Sequence, residues 1–304
     1  MNGWADIELL GHRAEIVRGI RRFFDDLGFI EVETAVRIDA PAPEEHIDCP
    51  PVVGGGYLRA SPELQMKKLL AAGMDRIYQI GPCFREGERG SRHNPEFTMI
   101  EWYRKGADYL DIKEDLKSLV SSLMSSGEDF RRKTGDARAG FETLTVRDAY
   151  LRYAGWDPWE SWDQDRFDFD MATKIEPAIK EMGGGVFLMD YPPQAASLAK
   201  ISDTPSTRHQ ASGTTYAERW EFYWDGMELA NCFTELCDRD EQLRRFESAK
   251  EARKLLKESD YPIDYEFIEY LPQMKSAAGV ALGIDRLVMI LTKTKEISAV
   301  RAYI

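Results

Sequence analysis

The chain has 304 residues, of which 43% are hydrophobic and 31% charged, and its formal net charge is −13. This apolar content suffices for one large core or two smaller ones, and it excludes a disordered chain. No apolar run approaches the roughly 18 residues that a membrane-spanning helix needs, and the first residues carry no targeting signal. We therefore expect a cytoplasmic globular protein with no membrane partner.

The acidic balance argues against a broad nucleic-acid interface, because affinity for phosphate backbones comes largely from lysines and arginines. An acidic pocket would instead suit a cationic small molecule. The four cysteines, Cys49, Cys83, Cys232 and Cys237, show no C-x-x-C spacing. Reduced thiols without zinc are the expectation.

The first half of the chain switches between helical and strand periodicity, with glycine and proline at the boundaries. One apolar stripe of helical period, for example, ends at Gly28, a residue type common at helix C-termini. The predicted elements are a helix over 12–27, strands over 29–34 and near 57, a helix from 61 to 73, and strands over 77–85 and 97–103.

The second half contains two polar stretches, 125–140 and 202–215, whose composition is typical of connectors and loops. A region rich in Trp and Asp predicts a helical insertion at about 125–185, beside the sheet. The other predicted elements are a helix over 111–124, a strand over 187–191, strands within 218–236, a helix over 240–257, and a strand that runs into a helix over 279–291.

Four segments, 59–66, 84–103, 226–236 and 279–289, concentrate Arg and Glu beside apolar strands. Charges in such places are costly to bury unless they are paired or bind something. Arginines and Mg²⁺-binding carboxylates suit activation of a carboxylic acid by ATP, in which phosphate charge must be compensated. For any single residue, a surface ion pair is the competing interpretation. No Walker loop and no G-x-G-x-x-G fingerprint after a strand is present, so an ATP site must be built differently.

Two longer motifs carry a family resemblance. Cys-Phe-Arg at 83–85, followed by Arg-His-Asn-Pro-Glu-Phe-Thr-Met at 92–99, resembles the second signature motif of class II aminoacyl-tRNA synthetases of the lysyl type. Gly-Val-Ala-Leu-Gly-Ile-Asp-Arg-Leu at 279–287 is similar to the third motif. With Ser-Pro-Glu at 61–63 and Glu-Leu-Ala-Asn at 228–231, the match spans nearly the whole chain. The resemblance implies an α+β fold, with a six- or seven-stranded antiparallel sheet flanked by helices.

The same resemblance implies an ATP site with Mg²⁺. Arg85 would grip the α-phosphate and the substrate carboxylate, Phe97 would stack on adenine, and Arg286 would lie against the phosphates. The full set implied for the nucleotide is Arg85, Glu86, Glu88, His93, Asn94, Phe97, Glu228 and Arg286. Arg85, Arg286 and Glu228 would be catalytic, and Glu228 and Glu235 would hold the metal.

The implied substrate is lysine or β-lysine, a molecule whose two amines each need anionic or hydrogen-bonding partners. Glu63 would hold the α-amine, while Glu101, Tyr103 and Glu235 would converge on the distal ammonium. The full set implied for the substrate is Ser61, Glu63, Glu101, Tyr103, Asn231, Glu235, Gly279 and Ala281. Without the surrounding motifs, we would interpret His93, Phe97 and Tyr103 as residues of the hydrophobic core.

Within this family the chain looks most like the free-standing paralogues that join β-lysine to a lysine of elongation factor P. We expect one catalytic domain over 1–304 without an anticodon-binding domain, a homodimer, and elongation factor P rather than tRNA as the acceptor. Ala281 stands where lysyl synthetases have glycine, and its methyl group would reshape the substrate floor to suit a β-amino acid. The preferred isomer and the acceptor residue stay open.

Three positions depart from the family pattern. Gly87 stands where the second motif has a glutamate, with Glu86 and Glu88 as possible substitutes. Ala35 replaces a proline of the first motif, and Cys232 replaces a common glycine. The alternatives are a truncated ligase that charges a tRNA or another acceptor, and a catalytically silent regulatory subunit. The presence of Arg85, Arg286, Glu228 and Glu235 argues against the silent subunit.

Overall fold

The computed structural model describes residues 6–45, 47–125, 140–202, 214–256 and 259–302. Eight strands form one sheet in the order β1-β4-β5-β10-β9-β8-β7-β6, and β2 pairs with β3 in a small separate ribbon. The strands are β1 (Ile30–Glu31), β2 (Arg37–Ile38), β3 (Tyr57–Leu58), β4 (Arg76–Phe84), β5 (Glu96–Lys105), β6 (Phe141–Thr145), β7 (Gly185–Tyr191), β8 (Ala217–Trp224), β9 (Met227–Thr234) and β10 (Ala277–Gly283).

The six central strands of the sheet are antiparallel neighbours. The two edge strands differ, because β1 runs parallel to β4 and β6 runs parallel to β7. The predicted α+β class with a mainly antiparallel sheet is therefore confirmed. The six antiparallel strands agree with the expected six or seven, and the two parallel edge strands, which were not expected, bring the sheet of the described residues to eight.

Helices pack against both faces of the sheet. They are α1 (Ile7–Asp26), α2 (Glu63–Ala71), α3 (Tyr109–Ser125), α4 (Val146–Ala149), α5 (Gln164–Asp170), α6 (Glu176–Met182), α7 (Arg239–Leu256), α8 (Tyr265–Tyr270) and α9 (Ile284–Thr292). Two π-helical turns, Tyr150–Ala154 and Met171–Ile175, extend α4 and α5. No helix in the described ranges combines the length and apolarity needed to cross a bilayer.

The first helix begins one turn earlier than its apolar stripe predicts. Asp6 caps it by accepting hydrogen bonds from the backbone N–H groups of Glu8 and Leu9, so α1 starts at Ile7 rather than at residue 12.

The strand predicted over 29–34 is only two residues long, and both are exposed at the sheet edge. The predicted polar stretches fall largely on 126–139 and 203–213, which lie outside the described residues.

The main core lies between the sheet and the helices α1, α3 and α9. Phe24 of α1 lies 4.9 Å from Tyr78 and 5.1 Å from Trp102, measured between ring centroids. Because side chains alternate across a strand, Ile100 and Trp102 of β5 point into this core. The intervening Glu101 and Tyr103 point to the opposite face of the sheet, where the cleft lies.

The predicted helical insertion contains α4, α5 and α6, which pack with β7 in a second apolar cluster. The Tyr150 and Phe167 rings stack with centroids 4.6 Å apart, and the Tyr150 hydroxyl donates to the Phe167 carbonyl. The Trp156 indole donates to Asp170, so the buried carboxylate is satisfied. These contacts hold the helices together beside β7. Strand β6, at the start of this region, was not predicted.

Candidate active site

One cleft of about 380 Å³ lies on the exposed face of the sheet. Its floor comes from β5, β10, β9 and β8, which are neighbours in the sheet although they are far apart along the chain. Every predicted site residue except Glu86 lines this cleft. Glu86 is exposed outside it, whereas Glu88 lines it and lies 3.6 Å from Arg85. Of the two carboxylates beside Gly87, only Glu88 is therefore placed to act in the cleft.

One end of the cleft presents hydrogen-bond donors. The β4–β5 hairpin holds Arg85 through its backbone N–H, which donates to the Pro95 carbonyl at 2.9 Å. The Arg85 guanidinium lies over the Phe97 ring at 5.3 Å. Arg85 Nε and Asn94 Nδ2 are buried and donate to no acceptor among the described residues. Buried donors without partners are costly, and an anionic ligand such as a phosphate would satisfy them.

Arg286 closes the same end from the start of α9. Its guanidinium donates to the Glu228 carbonyl at 2.7 Å and to His93 Nε2 at 2.6 Å. Burial and the neighbouring Arg286 charge lower the pKa of His93, so its ring stays neutral and accepts this bond. The interpretation of His93 as a plain core residue is not supported, because it contacts the cleft arginine.

Sequence reasoning did not single out Asp285, which ties two motifs together. Its carboxylate accepts from the Thr98 N–H at 2.9 Å and pairs with Arg13 of α1 at 2.6 Å. Asp285 thus joins the start of α9 to β5. The available signal was its position next to Arg286 in the third motif.

The opposite end of the cleft is acidic around one buried lysine, Lys67 of α2. Its ammonium pairs with Glu63, one helical turn earlier, and with Glu235 Oε2 at 2.5 Å. Burial lowers the pKa of Lys67, but the two carboxylates outweigh that effect and raise it, so the lysine remains charged. Burial raises the pKa of Glu235 to about 8. Glu235 Oε1 is also buried and accepts from none of the described residues.

Glu101 adds a third carboxylate to this acidic end. It accepts from the Ser61 hydroxyl at 2.6 Å and from the Tyr103 hydroxyl at 2.7 Å. Burial, and next the Glu63 charge, raise the pKa of Glu101 to about 7. A methyl group on Gly279 would lie 2.1 Å from the Tyr103 ring, so only glycine leaves room for this tyrosine.

Ala281 lies on the floor between the acidic end and the next strand. Its Cα pairs in register with Glu101 on β5 and with Asn231 on β9. Its side chain lines the cleft. The methyl group therefore occupies the surface between two predicted substrate-binding residues.

Strand β8 contributes two residues that sequence reasoning missed, Arg219 and Glu221. Glu221 accepts from Arg219 and Tyr223 at 2.6 and 2.7 Å, and all three side chains share one face of the strand. Burial against the cleft wall, and next the Glu221 charge, raise the pKa of Glu228 to about 7, although 42% of its side chain stays exposed. Glu221 and Glu228 both line the cleft, from the neighbouring strands β8 and β9. The period-two spacing of 219, 221 and 223 was the available signal.

The comparisons agree with these motifs. A family model for class II tRNA synthetases of the D, K and N type matches residues 7–304. The chain belongs to this family. It is 37% identical to the elongation factor P–(R)-beta-lysine ligase of Proteus mirabilis, with 98% of this chain and 95% of that protein covered. Ligases of the same name from Yersinia enterocolitica and Vibrio cholerae are 35% and 34% identical over 98% of the chain, with 95% and 96% of those proteins covered. The predicted resemblance is confirmed.

Replacing Lys67 with Met should lower the free energy of unfolding by about 3 kcal/mol at pH 8, because two buried carboxylates lose their cation. The loss should be smaller at pH 5.5. Without Lys67 the carboxylates have raised pKa values and take up protons as the pH falls, so the native state binds more protons than the unfolded state. Urea unfolding at both pH values measures the difference.

The matched control is Lys68→Met. Lys68 pairs with Asp264 and Glu266 at the partly exposed surface, so its loss should cost less than about 1 kcal/mol. Equal losses for the two variants, or a Lys67→Met loss that grows as the pH falls, would contradict the proposed charge cluster.

Proposed function

We propose that this protein uses ATP to activate (R)-β-lysine or lysine as an aminoacyl-adenylate and transfers it to a lysine side chain of elongation factor P. The observation that carries the proposal is the polarity of the catalytic cleft. Arg85 Nε and Asn94 Nδ2, which have no acceptor among the described residues, lie at one end, and the carboxylates of Glu63, Glu101 and Glu235 surround Lys67 at the other. An adenylate of a diamine needs both ends at once.

At the donor end, Arg85 would bind the α-phosphate and the substrate carboxylate, and so hold the attacking oxygen against phosphorus. Phe97 would stack on the adenine, and Arg286 would lie against the nucleotide phosphates, with His93 fixing the orientation of Arg286. Glu88 would take the role of the motif glutamate that Gly87 lacks. Pyrophosphate leaves as the adenylate forms, and the positive charge of both arginines stabilises the phosphate in that transition state.

At the acidic end, Glu235 would bind the distal ammonium through its unpartnered Oε1, beside Glu101 and Tyr103. Lys67 neutralises only part of the charge of Glu63 and Glu235, so the end keeps net negative charge for a cation. Glu63 would hold the second amine. Asn231 and Ser61 supply neutral hydrogen-bonding groups at the edges of this set.

The carboxylate pair that best fits Mg²⁺ is Glu221 with Glu228. Mg²⁺ prefers one or two carboxylates together with substrate phosphates and water. Glu228 and Glu221 line the cleft from neighbouring strands, and repulsion between their charges favours a cation beside them. Glu235, by contrast, already pairs with Lys67 through Oε2, which leaves only Oε1 for a ligand. Mg²⁺ would neutralise phosphate charge there, and we assign Glu235 to the substrate rather than to the metal.

We infer the acceptor protein and the lysine isomer from the names of the relatives, which are ligases for elongation factor P and (R)-β-lysine. A tRNA acceptor remains the alternative within enzymes. The homodimer implied by the family resemblance stays a prediction.

The direct test of the proposed function is ATP–pyrophosphate exchange with α-lysine and with both β-lysine enantiomers, followed by transfer of labelled product. We expect exchange that depends on one or more of these diamines, with (R)-β-lysine preferred, and label on elongation factor P. Norleucine, which lacks the distal ammonium, is the control and should support no exchange. Label on lysine tRNA with unlabelled protein would contradict the acceptor, and exchange with none of the diamines would contradict the activity.

Replacing Ala281 with Gly should raise kcat/KM for α-lysine relative to (R)-β-lysine by about tenfold, because one methyl group in a tight pocket carries roughly that discrimination. The physical reason is the position of the methyl between Glu101 and Asn231 on the substrate floor. Exchange kinetics with both substrates measure the ratio. An unchanged preference would show that this methyl does not set the isomer.

The proposed metal site predicts different kinetic effects for substitutions at three glutamates. Glu221→Gln and Glu228→Gln should raise the Mg²⁺ concentration needed for half-maximal exchange, while Glu235→Gln should raise KM for the diamine, each by about tenfold or more. Since protonation of Glu228 competes with the metal, Mg²⁺ affinity of the unchanged protein should fall as the pH drops below 7. An Mg²⁺ requirement altered by Glu235→Gln alone would restore Glu235 as the ligand.

A further inference from the structure

A second cavity of about 760 Å³ lies beside the catalytic cleft. The two spaces share four lining residues, Glu44, Arg219, Glu221 and Glu228. The second cavity therefore opens next to the carboxylates where the adenylate would form. The proposed nucleotide and diamine do not use it, since neither the Arg85 and Arg286 donors nor the Lys67 cluster lines it.

The walls of this cavity explain a region whose role the sequence left open. The helical segment contributes Phe167 and Asp168 from α5, Met171 from the π-helical turn, and Glu176 from α6. Helix α7 faces them with Ser248 and Ala249 among other residues. The Trp-rich segment thus forms one side of a passage toward the cleft.

The cavity is acidic. Six carboxylates and three arginines line it among the described residues. The carboxylates are Glu44, Glu45, Asp168, Glu176, Glu221 and Glu228.

The three arginines pair with only two carboxylates, namely Glu241, which Arg244 and Arg245 share, and Glu221, which is one of the six. Arg244 makes two bonds of 2.7 Å to Glu241, and Arg245 binds Glu241 and two backbone carbonyls at 2.8 Å. Arg219 pairs with Glu221 at 2.6 Å. The remaining charge of the cavity is negative, and it would attract a cation and repel a phosphate backbone.

Three of these carboxylates belong to the second cavity alone. Glu45, Asp168 and Glu176 line it but do not line the catalytic cleft, so the Mg²⁺ proposed at Glu221 and Glu228 does not neutralise them. Their charge would attract a cationic side chain that approaches the cleft. The acceptor side chain in the proposed reaction is such a cation, a lysine ammonium.

We propose that the second cavity is the acceptor channel, which admits a lysine side chain presented by a loop of the acceptor protein. This assignment rests on the proposed function. The ammonium enters past Asp168 and Glu176 and reaches the adenylate where the two spaces meet near Glu44. Two protons leave the nitrogen, one to a channel carboxylate before attack and one to solvent after it. The new C–N bond forms as the C–O bond to the phosphate breaks, and AMP leaves.

The test separates activation from transfer. Asp168→Lys reverses a charge in the channel, and Ala249→Trp fills it, yet neither residue lines the catalytic cleft. For both variants we expect ATP–pyrophosphate exchange within about twofold of the unchanged protein and transfer to elongation factor P reduced by about tenfold or more. Hydroxylamine, a small nucleophile that traps the adenylate, should form hydroxamate equally well in all of them.

Asp165→Lys is the matched control, since Asp165 is an exposed acid of the same helix that does not line the channel. It should leave both steps unchanged. Normal exchange with undiminished transfer in Asp168→Lys and Ala249→Trp would overturn the channel assignment, as would an equal transfer loss in Asp165→Lys. Labelling of lysine tRNA, blocked by the same two variants, would overturn the protein acceptor. Absence of exchange in the unchanged protein would overturn the proposed function and this assignment with it.

Discussion

The acidic end of the cleft holds more negative charge than its own side chains neutralise. Glu63, Glu101 and Glu235 lie at one end with Lys67 as the cation that pairs with two of them. Water is largely excluded there, so each uncompensated carboxylate has a raised pKa or must bind a positive ligand. The proposed diamine would supply that ligand. On this proposal the acidic end is unfavourable for the empty protein and favourable for the complex with substrate.

The sheet makes this arrangement possible. Strands β5, β10 and β9 pair in register, so that Glu101, Ala281 and Asn231 lie side by side although they are distant in sequence. The core face of the same strands is filled by aromatic and aliphatic packing, which keeps the floor rigid. Rigid placement matters here because activation of a carboxylate by ATP depends on alignment more than on any reactive side chain of the protein. The helical segment and α7 then build a second, acidic space onto this floor.

Much of the fold and of the cleft could be predicted because the motifs are local. Arg85 and Phe97 lie on one hairpin, and Arg286 follows β10 directly, so short stretches of sequence specify their geometry. The role of Lys67 could not be predicted from the sequence. A lysine on an amphipathic helix is normally solvent-exposed, and only the tertiary fold brings Glu235 next to it. Glu221 was missed for a related reason. Its partner Glu228 comes from the next strand, and the pairing depends on hairpin register with a bulge.

We propose that the acidic end binds the distal ammonium through carboxylates that are partly protonated before substrate arrives. Calorimetric titration with lysine at pH 7, in buffers of different ionisation enthalpy, counts the protons exchanged on binding. The account predicts proton release, because an ammonium lowers the raised pKa values of Glu101 and Glu235, and this release should vanish well above pH 8. Binding enthalpies that do not depend on the buffer at pH 7 would contradict it.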